Sequence, residues 1–156
     1  MNATTRKRLI LQGYSEIDIC DCKNINLLAR WTPSACVLFG VVGLILRSPL
    51  YFWILGAFTL LGAFGPRSAY DYLYVLFIKP VLNLGEMPNH GKQRRFGCAI
   101  GAFLFVLSGF GFHAANPWLA WLPSATIVFL ALIAATTQWC FASTLYVLIW
   151  GSTSEE

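Results

Sequence analysis

Residues 96–112 read FGCAIGAFLFVLSGFGF, an unbroken apolar run that follows directly after the basic residues Lys92, Arg94 and Arg95. As a helix, a run of about 17 residues reaches roughly 26 Å, close to the roughly 30 Å thickness of a bilayer's hydrocarbon core. Stretches of the same character occupy about residues 33–46, 50–65 and 118–136. The sequence therefore predicts an all-α membrane protein with four transmembrane helices.

The composition supports a bilayer as the solvent. Of the 156 residues, 57% are hydrophobic and only 12% are charged, whereas soluble domains carry about 25% charged residues. The net charge of +4 is small, and the cations flank apolar runs instead of forming a basic helix. We therefore expect the lipid bilayer as a partner and no nucleic acid.

The placement of the basic residues predicts the orientation. Ten of the eleven Lys and Arg residues lie either before the first apolar stretch or between the second and the third, and the remaining loops hold only Arg47. All seven acidic residues fall on the same side. By the positive-inside rule this side is cytoplasmic. We expect a multi-pass protein of the bacterial inner membrane with both termini in the cytoplasm.

The chain divides into a cytoplasmic segment (1–30), a transmembrane domain (31–150) and a cytoplasmic tail (151–156). Within the domain, LYVLF at 73–77 recurs as LYVLI at 145–149, each time after a helix and a polar break. Cys36 and Cys98 correspond in the same way. The pattern predicts two pseudo-repeated hairpins, about 31–84 and about 95–150, related by an axis along the membrane normal.

A helical break is predicted at Gly65, Pro66 and Arg67. The apolar segment that follows, residues 69–84, is too short to span, so we expect an interfacial or re-entrant helix on the cytoplasmic side. Within it, Asp71 either pairs with Arg67 or is solvated. The equivalent stretch, residues 139–150, is a second interfacial helix, or else helix four continues to Trp150 instead of ending near Thr136.

Five cysteines form the one candidate constellation, and all are predicted at the cytoplasmic side. Cys20 and Cys22 form a Cys-Asp-Cys motif before the first span, and these two are candidate ligands for a soft metal such as copper(I) or zinc. The candidate reactive thiols are Cys140, Cys98 and Cys36. Thiol exchange is one interpretation. The other is that these are reduced cysteines that pack as small hydrophobic residues. The cofactor stays undetermined.

The run GAFGPRS at 62–68, Lys79-Pro80 and Arg95-Phe96 resemble an uncharacterised bacterial membrane family, domain of unknown function forty-three ninety-five. The resemblance covers about residues 30–149, implies four spans and brings no activity. The family's pattern closes helix four with Cys-x-x-Cys followed by Tyr. Cys140 and Tyr146 fit this pattern, but Ser143 stands at the second cysteine, which weakens the transfer of any role of that pair.

No Asp, Glu, Lys or Arg lies inside a predicted span, which argues against an ion-coupled transporter. Nor does the sequence contain a Ser-His-Asp set, a phosphate-binding Gly loop or an HExxH motif, so an enzyme is not favoured. The first hypothesis is an accessory or assembly subunit that associates with other membrane subunits or with a second copy of itself. The alternative is a membrane-bound thiol-disulfide or soft-metal handling protein that uses the cytoplasmic cysteines.

Overall fold

The structure, a computed structural model, describes residues 3–14, 25–65, 67–82 and 91–151. Over these residues the chain is all-helical and contains no strand, as predicted. The elements, in chain order, are α1 (Ala3–Leu11), α2 (Ile25–Leu46), α3 (Pro49–Phe64), α4 (Ala69–Leu73), a π-helical segment (Tyr74–Ile78), α5 (Lys79–Leu82), α6 (Lys92–His113), α7 (Pro117–Thr137) and α8 (Phe141–Trp150).

Three stretches are long and apolar enough to cross a membrane: Leu27–Leu46, Lys92–His113 and Pro117–Thr137. A further pair of helices passes the same test only when taken together. It consists of α3 and the helix Ala69–Ile78, which are bent by 95° at the break between them. By length and composition the described residues therefore hold three spans, or four if the bent pair is one broken span.

The ends of the apolar helices are set by local chemistry. The Ser48 hydroxyl accepts a hydrogen bond from the backbone N–H of Tyr51 and precedes a proline, which suits the first turn of α3. Asn116 and the proline after it begin α7 in the same way. That helix ends at Thr137 because Gln138 adopts a left-handed φ of 54°. The shorter alternative for helix four is thus confirmed, and the tail forms the separate helix α8.

Two helices begin earlier than the apolar runs predicted. The first span begins at Ile25 instead of about residue 33, and the third at Lys92 instead of residue 96. These extra turns carry Arg30 and Arg94, which lie outside the predicted apolar runs but on the same helices. Average hydropathy falls at each cation, but a helix continues where its other side chains are buried, as Leu28 is here.

The helices do not pack in the order of the chain. The most extensive contacts join α3 to α6, followed by α6 to α7 and α2 to α7, whereas α2 touches its neighbour α3 only slightly. Phe52 and Phe105 are fully buried between α3 and α6, and the ring of Phe52 stacks on Phe112 at 5.2 Å. Gly56 permits this approach, because a Cβ there would lie 2.6 Å from a methyl group of Val106.

Candidate functional site

Two groups of buried polar side chains lie at helix N-termini. One group surrounds the first turn of α4, and the other surrounds the first turn of α8. Both helices follow a break after a long apolar helix, and each packs against the apolar helix that lies two helices before it, α4 against α2 and α8 against α6. The two groups differ in how their polar atoms are satisfied.

At the N-terminus of α4, the buried carboxylate of Asp71 accepts hydrogen bonds from Ser68 and Thr32. The backbone N–H of Ser68 donates to Asp71 Oδ2 (2.9 Å), and the N–H of Asp71 donates to Ser68 Oγ (3.3 Å), which together form a capping box. Thr32 of α2 donates its hydroxyl to Asp71 Oδ1 (2.6 Å). Asp71 is 0% exposed. The alternative of a solvated Asp71 is therefore wrong.

Tyr70, the residue before Asp71, extends this group of buried polar side chains toward the candidate thiol Cys36. Trp31 Nε1 donates to the carbonyl of Tyr70 (2.9 Å), and the Tyr70 hydroxyl shares a 2.8 Å hydrogen bond with Thr59. The same hydroxyl contacts the thiol of Cys36. Cys36 is buried and lies well inside α2 instead of one turn from its start. This environment is typical of a packed cysteine.

At the N-terminus of α8, two buried polar side chains carry atoms without a hydrogen-bond partner. Cys140 is the N-cap residue, but its side chain makes no capping hydrogen bond. Ser143 is 1% exposed and its Oγ has no hydrogen-bond partner. Arg94 of α6 is 8% exposed, and its Nη1 also has no partner. The thiols of Cys98 and Cys140 lie in the neighbourhood of this guanidinium.

The N-terminal helix covers this second group. The guanidinium of Arg94 lies 5.0 Å from the centre of the Tyr14 ring. Gln12 Nε2 donates to the carbonyl of Gln138 (2.7 Å), and Arg8 donates to the carbonyl of Thr137, so α1 is attached to the break between α7 and α8. The chain before the first span therefore shields the α8 site from one side.

The three described cysteines are scattered over the structure: Cys36 lies in α2, Cys98 in α6 and Cys140 at the N-cap of α8. All three are free thiols. Cys98 Sγ packs against Gly62, where a Cβ would lie 3.2 Å away. Within the described ranges no three His, Cys, Asp or Glu residues are placed to hold a metal ion. The predicted metal ligands Cys20 and Cys22 lie outside those ranges.

The predicted break is described only in part. Gly65 caps the C-terminus of α3, where its N–H donates to the carbonyl of Leu61 (3.0 Å), and Arg67 is half-buried. Pro66 lies outside the described residues. The chain bends by 95° at this position, so the helix that follows runs in a different direction from α3.

Sequence reasoning missed Arg94, Asp71 and Ser143 as site residues. Two signals were present. Ser68 and Asp71 have the spacing of a capping box. In addition, Arg94 precedes Cys98 by four residues, as Thr32 precedes Cys36, so the predicted repeat places a cation where the first unit has a hydroxyl.

Apolar helices of membrane-spanning length, with polar groups buried at the helix N-termini beside them, define a helical membrane protein. Within that class, the chain belongs to the family described as domain of unknown function (DUF4395), whose sequence model matches residues 26–150. The resemblance read from the sequence is thereby confirmed. No curated protein and no solved structure matches the chain.

Proposed function

We propose that this protein is a four-span inner-membrane protein that carries out thiol-disulfide exchange at its cytoplasmic end, with Cys140 as the attacking thiol and Cys98 as the resolving thiol. The observation that carries the proposal is the position of Arg94, whose buried guanidinium lies in the neighbourhood of both thiols. Cys140 is also the N-cap of α8. A helix N-terminus and a neighbouring guanidinium both attract negative charge, which is the environment of reactive cysteines in general.

The proposed topology counts α3 and the bent helix after it as one broken span. With four spans, the N-terminal helix α1 and the C-terminal helix α8 lie on the same side of the membrane. The hydrogen bonds of Arg8 and Gln12 to the break before α8 support this. The concentration of Lys and Arg residues in the same segments makes this the cytoplasmic side. Fusions of a periplasmic reporter after Arg47 and after Gly91 test it, since only the first is expected to be active.

The proposed twofold repeat, about 31–84 and about 95–150, is supported by two pairs of helix contacts, whereas the extensive α6–α7 contact has only a slight counterpart between α2 and α3. Exchanging the two units turns the α3–α6 contact into the α7–α2 contact, and both are extensive. It also turns the packing of α4 on α2 into the packing of α8 on α6. The N-cap residues Ser68 and Cys140 exchange as well, as do the third helical residues Asp71 and Ser143.

The exchange reaction would proceed in two steps. Cys140 loses its proton, its sulfur attacks one sulfur of a substrate disulfide, and the substrate S–S bond breaks to release one thiolate, which takes up a proton. The Cys98 thiolate then attacks Cys140 Sγ and releases the second substrate thiol. Two electrons pass from the protein dithiol to the substrate, and a cytoplasmic dithiol reductant restores Cys98 and Cys140 by the reverse exchange.

The experiment uses purified full-length protein in which Cys20 and Cys22 are replaced by Ser. After treatment with a small disulfide, thiols are counted by the gel shift of a polyethylene glycol maleimide, and the linked peptides are identified by mass spectrometry. We expect a Cys98–Cys140 disulfide that disappears in Cys98→Ser and Cys140→Ser and persists in Cys36→Ser. If Cys140 forms neither a mixed disulfide nor a bond to Cys98, the proposed activity is wrong.

The first sequence hypothesis, an accessory or assembly subunit, stays a prediction. Large apolar side chains are exposed along the spans, for example Leu38, Phe64, Phe103 and Phe129. A bilayer covers such a surface as well as another subunit or a second copy would. Co-purification in mild detergent tests it, with a stoichiometric membrane partner as the expected result and a lone monomer as the contrary one.

A further inference from the structure

We propose that Arg94, Ser143 and the N-terminus of α8 together bind an oxyanion of the phosphate type. This site is independent of the proposed thiol exchange, since it needs the cation and the helix amides but not the reactivity of a cysteine. The same chemistry is offered by free phosphate and by the headgroup of an anionic phospholipid in the inner leaflet.

The first argument is the unmatched charge of Arg94. Burying a guanidinium away from water costs several kcal/mol unless an anion and a full set of hydrogen-bond acceptors surround it. Arg94 has an unpartnered Nη1, and its neighbours in the described part of the chain are an aromatic ring and two thiols. None of these is a carboxylate. The fork of N–H groups on an arginine matches the spacing of two oxygens on a phosphate.

The second argument is the open N-terminus of α8. This helix has ten residues, its N-cap makes no side-chain hydrogen bond, and the hydroxyl of Ser143 in its first turn is buried without a partner. The first backbone N–H groups of a helix together with its dipole form a general anion-binding site. Gly97, three residues after Arg94 on α6, packs against Ala142 in the first turn of α8, where a Cβ on Gly97 would lie 3.4 Å from the Cβ of Ala142. The part of α6 that carries Arg94 therefore contacts the N-terminus of α8.

The third argument is the comparison with α4, where residues of the chain itself satisfy the N-terminus of the helix. There the first turn of the helix is occupied by the carboxylate of Asp71, which accepts hydrogen bonds from Ser68 and Thr32. The second unit has Ser143 in place of the carboxylate and Arg94 in place of Thr32. At matching positions the second unit lacks an anion and carries an additional cation. A bound oxyanion would take the place of the carboxylate and neutralise the guanidinium.

The test measures thermal unfolding of the full-length protein in neutral detergent at constant ionic strength, with phosphate replacing chloride. A parallel series compares nanodiscs of phosphatidylglycerol with nanodiscs of phosphatidylcholine. We expect the midpoint to rise with the ligand that binds, since a ligand specific to the folded state stabilises it by mass action. A rise with inorganic phosphate identifies a free anion, and a rise only with phosphatidylglycerol identifies a headgroup.

The variants locate the site. Arg94→Gln should weaken binding about tenfold or more, because a charge-assisted pair of hydrogen bonds is lost. Ser143→Ala should weaken it about threefold, and it provides the test if Arg94→Gln does not fold. Lys92→Gln is the matched control, since Lys92 is exposed two residues away. Cys140→Ala should retain binding, because alanine removes the thiol and leaves the first amides of α8 uncapped, and this separates the site from the thiol activity. Equal binding by wild type, Arg94→Gln and Ser143→Ala, or no effect of either ligand on the wild type, would overturn the proposal.

Discussion

The first turns of α4 and α8 are built on similar backbones but satisfy their polar groups differently. In α4 the N-cap serine, the third-residue aspartate and a threonine from α2 complete one another's hydrogen bonds. In α8 the N-cap is a cysteine, the third residue is a serine without a partner, and the residue contributed by α6 is an arginine. The first site is a structural cap. The second leaves Arg94 Nη1 and Ser143 Oγ buried without a hydrogen-bond partner, and unsatisfied polar atoms of this kind are rare in folded proteins.

The comparison predicts its largest effect at the satisfied site. Asp71→Ala removes both carboxylate oxygens and leaves the Ser68 N–H and the Thr32 hydroxyl buried without an acceptor. We expect a loss of about 3 kcal/mol in the free energy of unfolding, the sum of two unmet hydrogen bonds and a lost cap. Unfolding in mixed micelles with a rising fraction of ionic detergent measures this loss.

Asp71→Asn is the matched control, because its amide oxygen still accepts one of the two hydrogen bonds. It should lose about half as much stability as Asp71→Ala. A loss below about 1 kcal/mol for Asp71→Ala would mean that water reaches the capping box, and the contrast between the two helix N-termini would then disappear.

A smaller effect of opposite sign is expected at the second site. Ser143→Asp gives α8 the third-residue carboxylate that α4 already has, next to the unmatched Arg94. We expect a gain of about 1 to 2 kcal/mol in the free energy of unfolding. The same substitution should abolish phosphate binding, because the new carboxylate occupies the place of the ligand.

The interaction with Arg94 is isolated by a double-mutant cycle. In an Arg94→Gln background, Ser143→Asp should lose its benefit, since a buried carboxylate without a cation is costly. If Ser143→Asp destabilises the protein as strongly with Arg94 as without it, the two side chains do not face each other and the proposed site is wrong.

How far the sequence predicts these features depends on the range of the interaction. The apolar runs, the proline-marked starts of α3 and α7 and the break before Ser68 follow from neighbouring residues, so they were predicted to within a few positions. The burial of Asp71 depends on Thr32, 39 residues away. No local pattern contains that contact. Arg94 was assigned to the cytoplasmic charge that sets topology, because its burial depends on α1 and α8.

The candidate cysteines show the same limit. The sequence predicted Cys98 and Cys140 at the same end of the helix bundle, and the predicted membrane topology alone led to that prediction. Their shared neighbour was not predicted, since the helix that carries Arg94 begins a full turn before the apolar run. A systematic alignment of the two repeats would have drawn attention to Arg94, because it replaces a small uncharged residue at an equivalent position.

The smallest expected effect lies on the surface of the two proposed units, between the first helix of each unit and the helical segment that follows the break. In the second unit Phe96 fills the angle between α6 and α8, where its ring lies 5.7 Å from that of Tyr146 and 5.6 Å from that of Trp150. The equivalent residue of the first unit is Ser34, and there an apolar groove of about 410 Å³ runs between α2 and the π-helical segment. Ser34 is one of the residues that line this groove.

Ser34→Phe should therefore fill part of the groove and raise the free energy of unfolding by less than about 1 kcal/mol, since detergent or lipid already covers these walls. Ser34→Ala is the control that removes the hydroxyl without adding volume, and it should leave stability unchanged. Unfolding in mixed micelles measures both. A loss of stability in Ser34→Phe would show that the groove is too narrow for a ring, and the two outer faces would then differ in backbone spacing and not only in one side chain.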